Sequence, residues 1–343
     1  MTVTEIPAGV RPRASVRALG LLPLALVCLA ALALSMLVGS RSIPSAEVLH
    51  FLLHPDPDDA VSQVVWQSRV PRTVLILLCG AGLGVAGGLM QAVTRNPMTD
   101  PGILGVNAGA SLAVVLGLAY FGVTGIRGYM WWSFAGAVVT SVVVFMLGNS
   151  GPMRGNPVRM TLSGVALGAV LSGFTSTVLL TNSDVFARMR GWSAGTTASQ
   201  PLDAAVAIAP FILIGLVIAM ASTRALDVLA LGEASAVALG ANPNRTRMVA
   251  LVAIALLAGG ATAAAGPIGF IGLLAPHLSR MLVGPHQGWI MAYSVLAAPA
   301  VLGVSDVLGR VLTSGEVPVG VVTAFVGAPL LVYMVRRFRV PEA

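Results

Sequence analysis

Nine stretches of this chain, near residues 18–38, 73–92, 103–121, 129–147, 160–181, 203–222, 248–265, 289–309 and 317–335, are apolar and almost free of charge. A helix rising about 1.5 Å per residue needs about 20 such residues to cross a hydrocarbon layer of about 30 Å. Inside that layer the backbone must satisfy its own hydrogen bonds, which leaves helices or closed barrels, and runs of this length select helices. A tenth stretch near 267–283 is shorter and broken by Gly and Pro. It reads as an interrupted span, entered through Gly266-Pro267 and leaving the membrane at Pro276-His277. The expected fold class is an all-α polytopic membrane protein with about ten transmembrane helices. Only 10% of the residues are charged, against about 25% in soluble domains, which agrees. The first run follows Arg11, Arg13 and Arg17 as a signal peptide would. It is longer than a signal core and lacks a clear cleavage site, so it is expected to remain as a span.

All 20 basic residues are arginine. Without lysine the chain has no phosphate-loop motif and no Schiff-base chemistry. Any work driven by ATP must therefore come from another subunit. The net charge of +7 does not indicate nucleic acid, because the arginines fall in short clusters between apolar runs, with no basic stripe or stacking platform. Cys28 and Cys79 lie inside apolar runs and read as small core residues. With ten spans both termini share one side. Taking that side as cytoplasmic puts 13 arginines inside and 7 outside, as the positive-inside rule requires. The layout is then a cytoplasmic tail at 1–17, a membrane domain at 18–335 and a cytoplasmic tail at 336–343.

Three blocks carry more information. In RVPRT (69–73), Pro71 suits the first turn of a helix. Arg69 and Arg72 then stand at the positive end of its dipole, unfavourable by about 0.3–1 kcal/mol each if exposed. An external acidic partner or lipid headgroups would explain them. Downstream, Asn96-Pro97 and Asp100-Pro101-Gly102 read as a tight cytoplasmic turn, with Asp100 capping the third span. In the second block, 226–247, two short helices are expected near 227–231 and 233–239, with Gly240 as a stop. Their exposed Leu226, Leu229, Leu231, Val237 and Leu239 suggest a docking surface. In the third block, Asp306 and Arg310 are four apart and can pair on one helix face. The fifth span is rich in hydroxyls, including Ser172, Thr175 and Ser176, which fit either helix packing or a pathway lining.

The signatures RVPRT, QAVTRNPMTDPGILGVNAGAS, LGEASAVALG, GPIGFIGLLAPHLSR and EVPVGVVTAFVGAP, in this order, resemble the FecCD (iron-siderophore and vitamin B12) family of ABC importer permeases. The stretches NPVRMTLSGVALGAVLSG and NSDVFARMRGWSAGT look particularly similar to its ferric-enterobactin subgroup. The resemblance implies a type II importer permease fold in the bacterial plasma membrane, with both termini cytoplasmic. It implies lipid contact and a second, non-identical permease around a central pathway. Two ATPase subunits would bind inside and a siderophore-binding lipoprotein would dock outside. The chain itself would bind no cofactor and would not be an enzyme, ATP-Mg belonging to the ATPases. Arg69, Arg72 and Arg310 match positions that meet glutamates of the binding protein. Leu231, Gly232, Glu233, Ala234, Ala236, Leu239 and Gly240 match the segment that couples to the ATPase. Ser172, Thr175 and Ser176 would line the pathway. Where relatives carry a hydroxyl-rich gate before the fifth span, this chain has Asn156-Pro157-Val158; the gate's location carries over, its polar chemistry does not.

The expected function is import of a ferric siderophore by alternating access, with vitamin B12 or haem as alternative cargo. A secondary transporter or channel would need ionisable groups in mid-membrane. Asp306 is the only carboxylate expected there, and Arg310 can neutralise it. An intramembrane enzyme would need a cluster such as paired His and Glu on one face, as in H-E-x-x-H, and none occurs. His277 has no second ligand at a suitable spacing. His50 and His54 fall in an aspartate-rich outer loop. The arginine start and Gly-Gly end shared by 69–88 and 245–266 hint at an inverted repeat.

Overall fold

A computed structural model describes residues 14–39, 41–123, 125–150, 157–198, 200–312 and 315–337. Among these residues there are helices and no strands. In chain order the helices begin with α1 (Ala14–Leu37), α2 (Ser45–Leu53), α3 (Ala60–Val64), α4 (Val70–Thr94) and α5 (Val106–Tyr120). Next come α6 (Ile126–Asn149), α7 (Pro157–Thr181), α8 (Ser183–Ser193), α9 (Leu202–Ala230) and α10 (Glu233–Ala238). The last four are α11 (Pro243–Ala265), α12 (Ile271–Val283), α13 (Gln287–Val311) and α14 (Val319–Arg337). A π-helical turn, Val65–Arg69, joins α3 to α4, so Ala60–Thr94 is one helical rod.

Every expected span coincides with a helix. Seven are long and apolar enough to cross a membrane; α5, α12 and the Val319–Leu330 part of α14 are shorter apolar helices. The centre of the bundle is α4, with 78% of its apolar stretch buried, as in α11, whereas α7 has only 11% of its stretch buried and α1 17%. An apolar helix left so exposed must meet lipid or another chain. The glycines of α4 explain its close packing. A Cβ at Gly80 would stand 2.6 Å from Pro299 Cα of α13, and one at Gly87 would overlap the Gly272 carbonyl of α12.

Three local expectations are corrected. The segment 227–231 is not a separate helix. Gly232, at φ +108°, is the first residue that breaks the pattern, so α9 runs on to Ala230 with Leu226 and Leu229 buried. The tenth stretch does not end at Pro276-His277 either. Pro276 lies inside α12, and the irregular part is 266–270, where Phe270 has φ +69°. Pro276 has no N–H to give to the carbonyl of Gly272, four residues back. The buried amide of Gln91 approaches that oxygen at 3.4 Å and the Leu273 oxygen at 3.5 Å.

The third correction concerns 95–105. Its first residues, 95–98, do turn at the end of the bundle, but the rest does not stay there. Arg95 reaches the Leu229 carbonyl at the far end of α9 (2.8 Å), and from there the chain doubles back along the bundle. A Cβ on Gly272 would meet Pro101 Cδ at 2.8 Å, Asp100 Oδ2 at 3.0 Å and the Leu83 oxygen at 3.3 Å, which places Asp100 about halfway along α4. Asp100 accepts from Gly102 N (2.8 Å) and caps a separate 3-10 turn, Pro101–Leu104; α5 starts only after Gly105, at φ +72°. Asp100 therefore joins Asp306 as a carboxylate inside the bundle. Backbone of this kind is tolerated at depth only where it packs on protein or lines a cavity.

Candidate functional site

The RVPRT stretch opens α4, and its arginines are buried, with Arg69 4% and Arg72 6% exposed. Arg72 donates through Nε and Nη2 to Asp306 (2.9–3.1 Å) and through Nη1 to Glu316 Oε2 (2.7 Å). Arg310 donates to Asp306 Oδ2, from Nε at 3.0 Å and also from Nη2. Thr197 completes that carboxylate's shell at 3.1 Å. The carbonyls at the end of α1 accept from the remaining groups. Arg310 Nη1 reaches Ser35 O (2.8 Å) and Val38 O (2.6 Å), and Arg69 Nη1 reaches Met36 O (2.8 Å) and Leu37 O (2.9 Å).

Three arginines and two carboxylates thus lock α1, α4, α13 and the segment before α14 at one end of the bundle. The expected Asp306–Arg310 pair is present. Because the helical rod begins at Ala60, Arg69 and Arg72 do not stand at a helix end as expected; the charge of Arg72 is met within the chain by Asp306 and Glu316, two partners that spacing alone did not disclose. Between Ser68, Arg69, Arg72, Arg310 and Glu316 lies a pocket of about 50 Å³.

On the α5–α7 side is an open cleft of about 560 Å³, lined in part by Asp100, Asn107 and Ser111 of the returning segment and α5, and by Ser172, Thr175 and Ser176 of α7. The three hydroxyl residues singled out in the fifth span therefore meet on one surface. Asn107 also bonds Thr262 of α11 at 3.1 Å. Asp100 and Asn107 were missed as lining residues because nothing local reveals the depth of their loop. Of the expected gate, Asn156 lies outside the described residues, Pro157 opens α7, and Val158 is 63% exposed. Val158 does not line the cleft itself but stands six residues before Gly164, the first α7 residue that does, roughly 9 Å along the helix.

At the opposite end, Gly232 swings the chain out of α9 and α10 follows. Leu231 and Leu239 are each 65% exposed, and Ala234 and Gly240 are exposed too, while Ala236 is fully buried. Glu233 pairs with the buried Arg247 of α11, and Gly240, at φ +80°, ends the excursion. One face of α10 is fixed to the bundle and the other stands free with large apolar side chains.

Residues 26–337 match the FecCD transport family. The chain is 45% identical to the ferric enterobactin transport system permease protein FepD of Escherichia coli (strain K12), over 94% of this chain and 96% of that one. It is 38% identical to the Fe(3+)-citrate import system permease protein YfmD of Bacillus subtilis (strain 168), over 90% and 91%. A solved structure described as an inward-facing conformation of a metal-chelate type ABC transporter superposes with TM-score 0.82 at 26% identity, covering 94% of this chain and all of that one. An all-helical bundle with a polar cleft, a locked arginine end and a free apolar helix at the other end accords with these likenesses: the chain belongs to the FecCD transport family and has the type II ABC importer permease fold.

Proposed function

We propose that this chain is one of two permease subunits of an importer that carries a ferric siderophore from an external binding protein into the cytoplasm by alternating access. The observation that carries the reading is the 45% identity, sustained over nearly the whole of both chains, with a ferric enterobactin permease. In this reading the arginine end faces outward and both termini, with tails at 1–17 and 336–343 around the 18–335 membrane domain, are cytoplasmic. Arg69, Arg72 and Arg310 present the pocket of about 50 Å³, which has room for a carboxylate of the binding protein. Such a contact sets orientation and encounter more than affinity. Ser172, Thr175 and Ser176 line the pathway, and the start of α7 at Asn156, Pro157 and Val158 forms the cytoplasmic gate. Leu231, Gly232, Glu233, Ala234, Ala236, Leu239 and Gly240 dock α10 into an ATPase subunit, where ATP-Mg is hydrolysed. The exposed α7 faces a second, non-identical permease.

The decisive test is reconstitution in proteoliposomes with radioactive ferric siderophore inside or outside the vesicle. Uptake is expected only when the second permease, the ATPases and the binding protein are all present. Flux through this chain without any ATPase would sink the reading.

A further inference from the structure

At the end of the bundle opposite the arginine cluster, α1 begins where α12 finishes. Tyr293 of α13 donates to the Arg17 carbonyl (2.7 Å), which seats the first turn of α1 on α13. A Cβ on Gly284, the residue that closes α12, would stand 3.9 Å from Arg17 Nη2. Gly284 N donates in turn to the Arg280 carbonyl (2.9 Å). The Arg17 guanidinium therefore lies against the last turn of α12, the turn that carries Arg280.

Neither arginine has a counter-charge. Both are half-buried, and neither forms an ion pair among the described residues. Elsewhere in the chain, buried guanidinium groups meet carboxylates, Arg72 and Arg310 at Asp306 and Arg247 at Glu233. Asp227, at the same end as Arg17, is already held by Gln287 N (2.8 Å) and His286 (3.1 Å). Helix ends do not supply what is missing. The C-terminus of α12 offers about half a negative charge and the N-terminus of α1 about half a positive one, so the two nearly cancel. About two positive charges are left over.

Apolar surface flanks them. Val16, Leu19, Leu22 and Leu26 of α1 are more than half exposed, as are Met281 and Leu282 of α12. Trp289 and Tyr293 of α13 pack beside Leu21 and Leu24, and such amphipathic rings gather at headgroup level. Paired cations above exposed apolar helix faces complement a phosphodiester carried on acyl chains. We propose that this corner is a binding site for an acidic phospholipid, best matched in charge by one with two phosphodiesters. Its headgroup bridges Arg17 of α1 and Arg280 of α12, and its chains lie along the exposed face of α1. A soluble phosphate would meet the charges and leave the apolar flanks unused. The site gives α1, with only 17% of its apolar stretch buried, a second hold on the bundle. It does not depend on what the chain transports.

The full chain in detergent micelles is titrated with tetraoleoyl cardiolipin, dioleoyl phosphatidylglycerol or dioleoyl phosphatidylcholine, and bound lipid is counted by native mass spectrometry. Retention is expected to fall in that order. Arg17→Gln and Arg280→Gln should each weaken cardiolipin binding about fivefold, the worth of one arginine at a charged membrane surface, and together about 25-fold. Arg17→Lys and Arg280→Lys should keep most of the binding. Arg245→Gln, exposed at the same end, should leave it unchanged. Cardiolipin should also raise the melting temperature of the wild-type chain and not that of the double variant. Should a Gln variant fail to fold, the wild-type lipid order and the Lys variants decide. An equal loss in Arg245→Gln means general attraction to a basic surface and overturns the site. Inorganic phosphate that protects against melting as well as cardiolipin does makes this a soluble-anion site and overturns the lipid. Equal retention of cardiolipin and phosphatidylcholine overturns both.

Discussion

Asp306 receives hydrogen bonds from Arg72, Arg310 and Thr197 while 1% exposed, so its charge holds two buried guanidinium groups at once. Removing one partner from a buried ionic network leaves the others uncompensated, at about 3–5 kcal/mol. Asp306→Ala should therefore lower stability by roughly that much, read as a fall in melting temperature of the detergent-solubilised complex. Adding Arg310→Met to that variant should recover part of the loss, because the two residues share one network. Only a fraction of this cluster could be read from the residues. Asp306 and Arg310 lie four apart on one helix, a local relation that spacing reveals. Arg72 is 234 positions from Asp306, and only the packing of α4 on α13 brings them together.

Helices show the same division. The ten apolar runs all became helices because length and polarity decide that locally, and Gly240, at φ +80°, is the stop its type suggested, whereas Pro71 lies inside the rod Ala60–Thr94 and not at its start. The return of 95–105 into the bundle was not legible. Asn, Asp, Pro and Gly make the same turn chemistry in solvent or at depth, and only Gly272 across the way distinguishes the two. At α4, a methyl group at Gly87 would have to displace the backbone of α12, so Gly87→Ala should destabilise by about 1–3 kcal/mol, as overpacking does. A thermal shift of the purified complex measures it; no shift would mean that α4 and α12 stand further apart. Gly232→Val meets φ +108° with a β-branched residue and should re-aim α10. The expected result is an assembled complex whose ATP hydrolysis no longer drives uptake, seen by comparing the two rates in one preparation.

For the whole molecule, the pathway reading makes a chemical prediction. Cys28 and Cys79 are 3% and 0% exposed, so the native chain should be silent to a water-soluble, charged thiol reagent. Ser176→Cys, on the wall of the 560 Å³ cleft, should react in the assembled importer, and Leu180→Cys at the exposed end of α7 serves as the accessible reference. Mass spectrometry of the labelled chain checks this; an inert Ser176→Cys beside a reactive reference would move the pathway elsewhere. The hydroxyl-rich face of α7 was legible because polar residues in an apolar run are few. The opposite wall, built by the returning segment, was hidden with its depth.

The far end of α9 has a mechanical consequence. Its 29 residues rise roughly 43 Å, more than the hydrocarbon layer requires. The same end is tied to two neighbours, by Arg95 to the Leu229 carbonyl and by Asp227 to Gln287 N at 2.8 Å. Those bonds brace α9 against the last turn of α4 and the first turn of α13. Because α10 hangs from that braced end, a force applied to it is borne by three helices together and not by a flexible tether. Through α4 and α13 that braced end is joined to the arginine end, where α4 begins and α13 finishes.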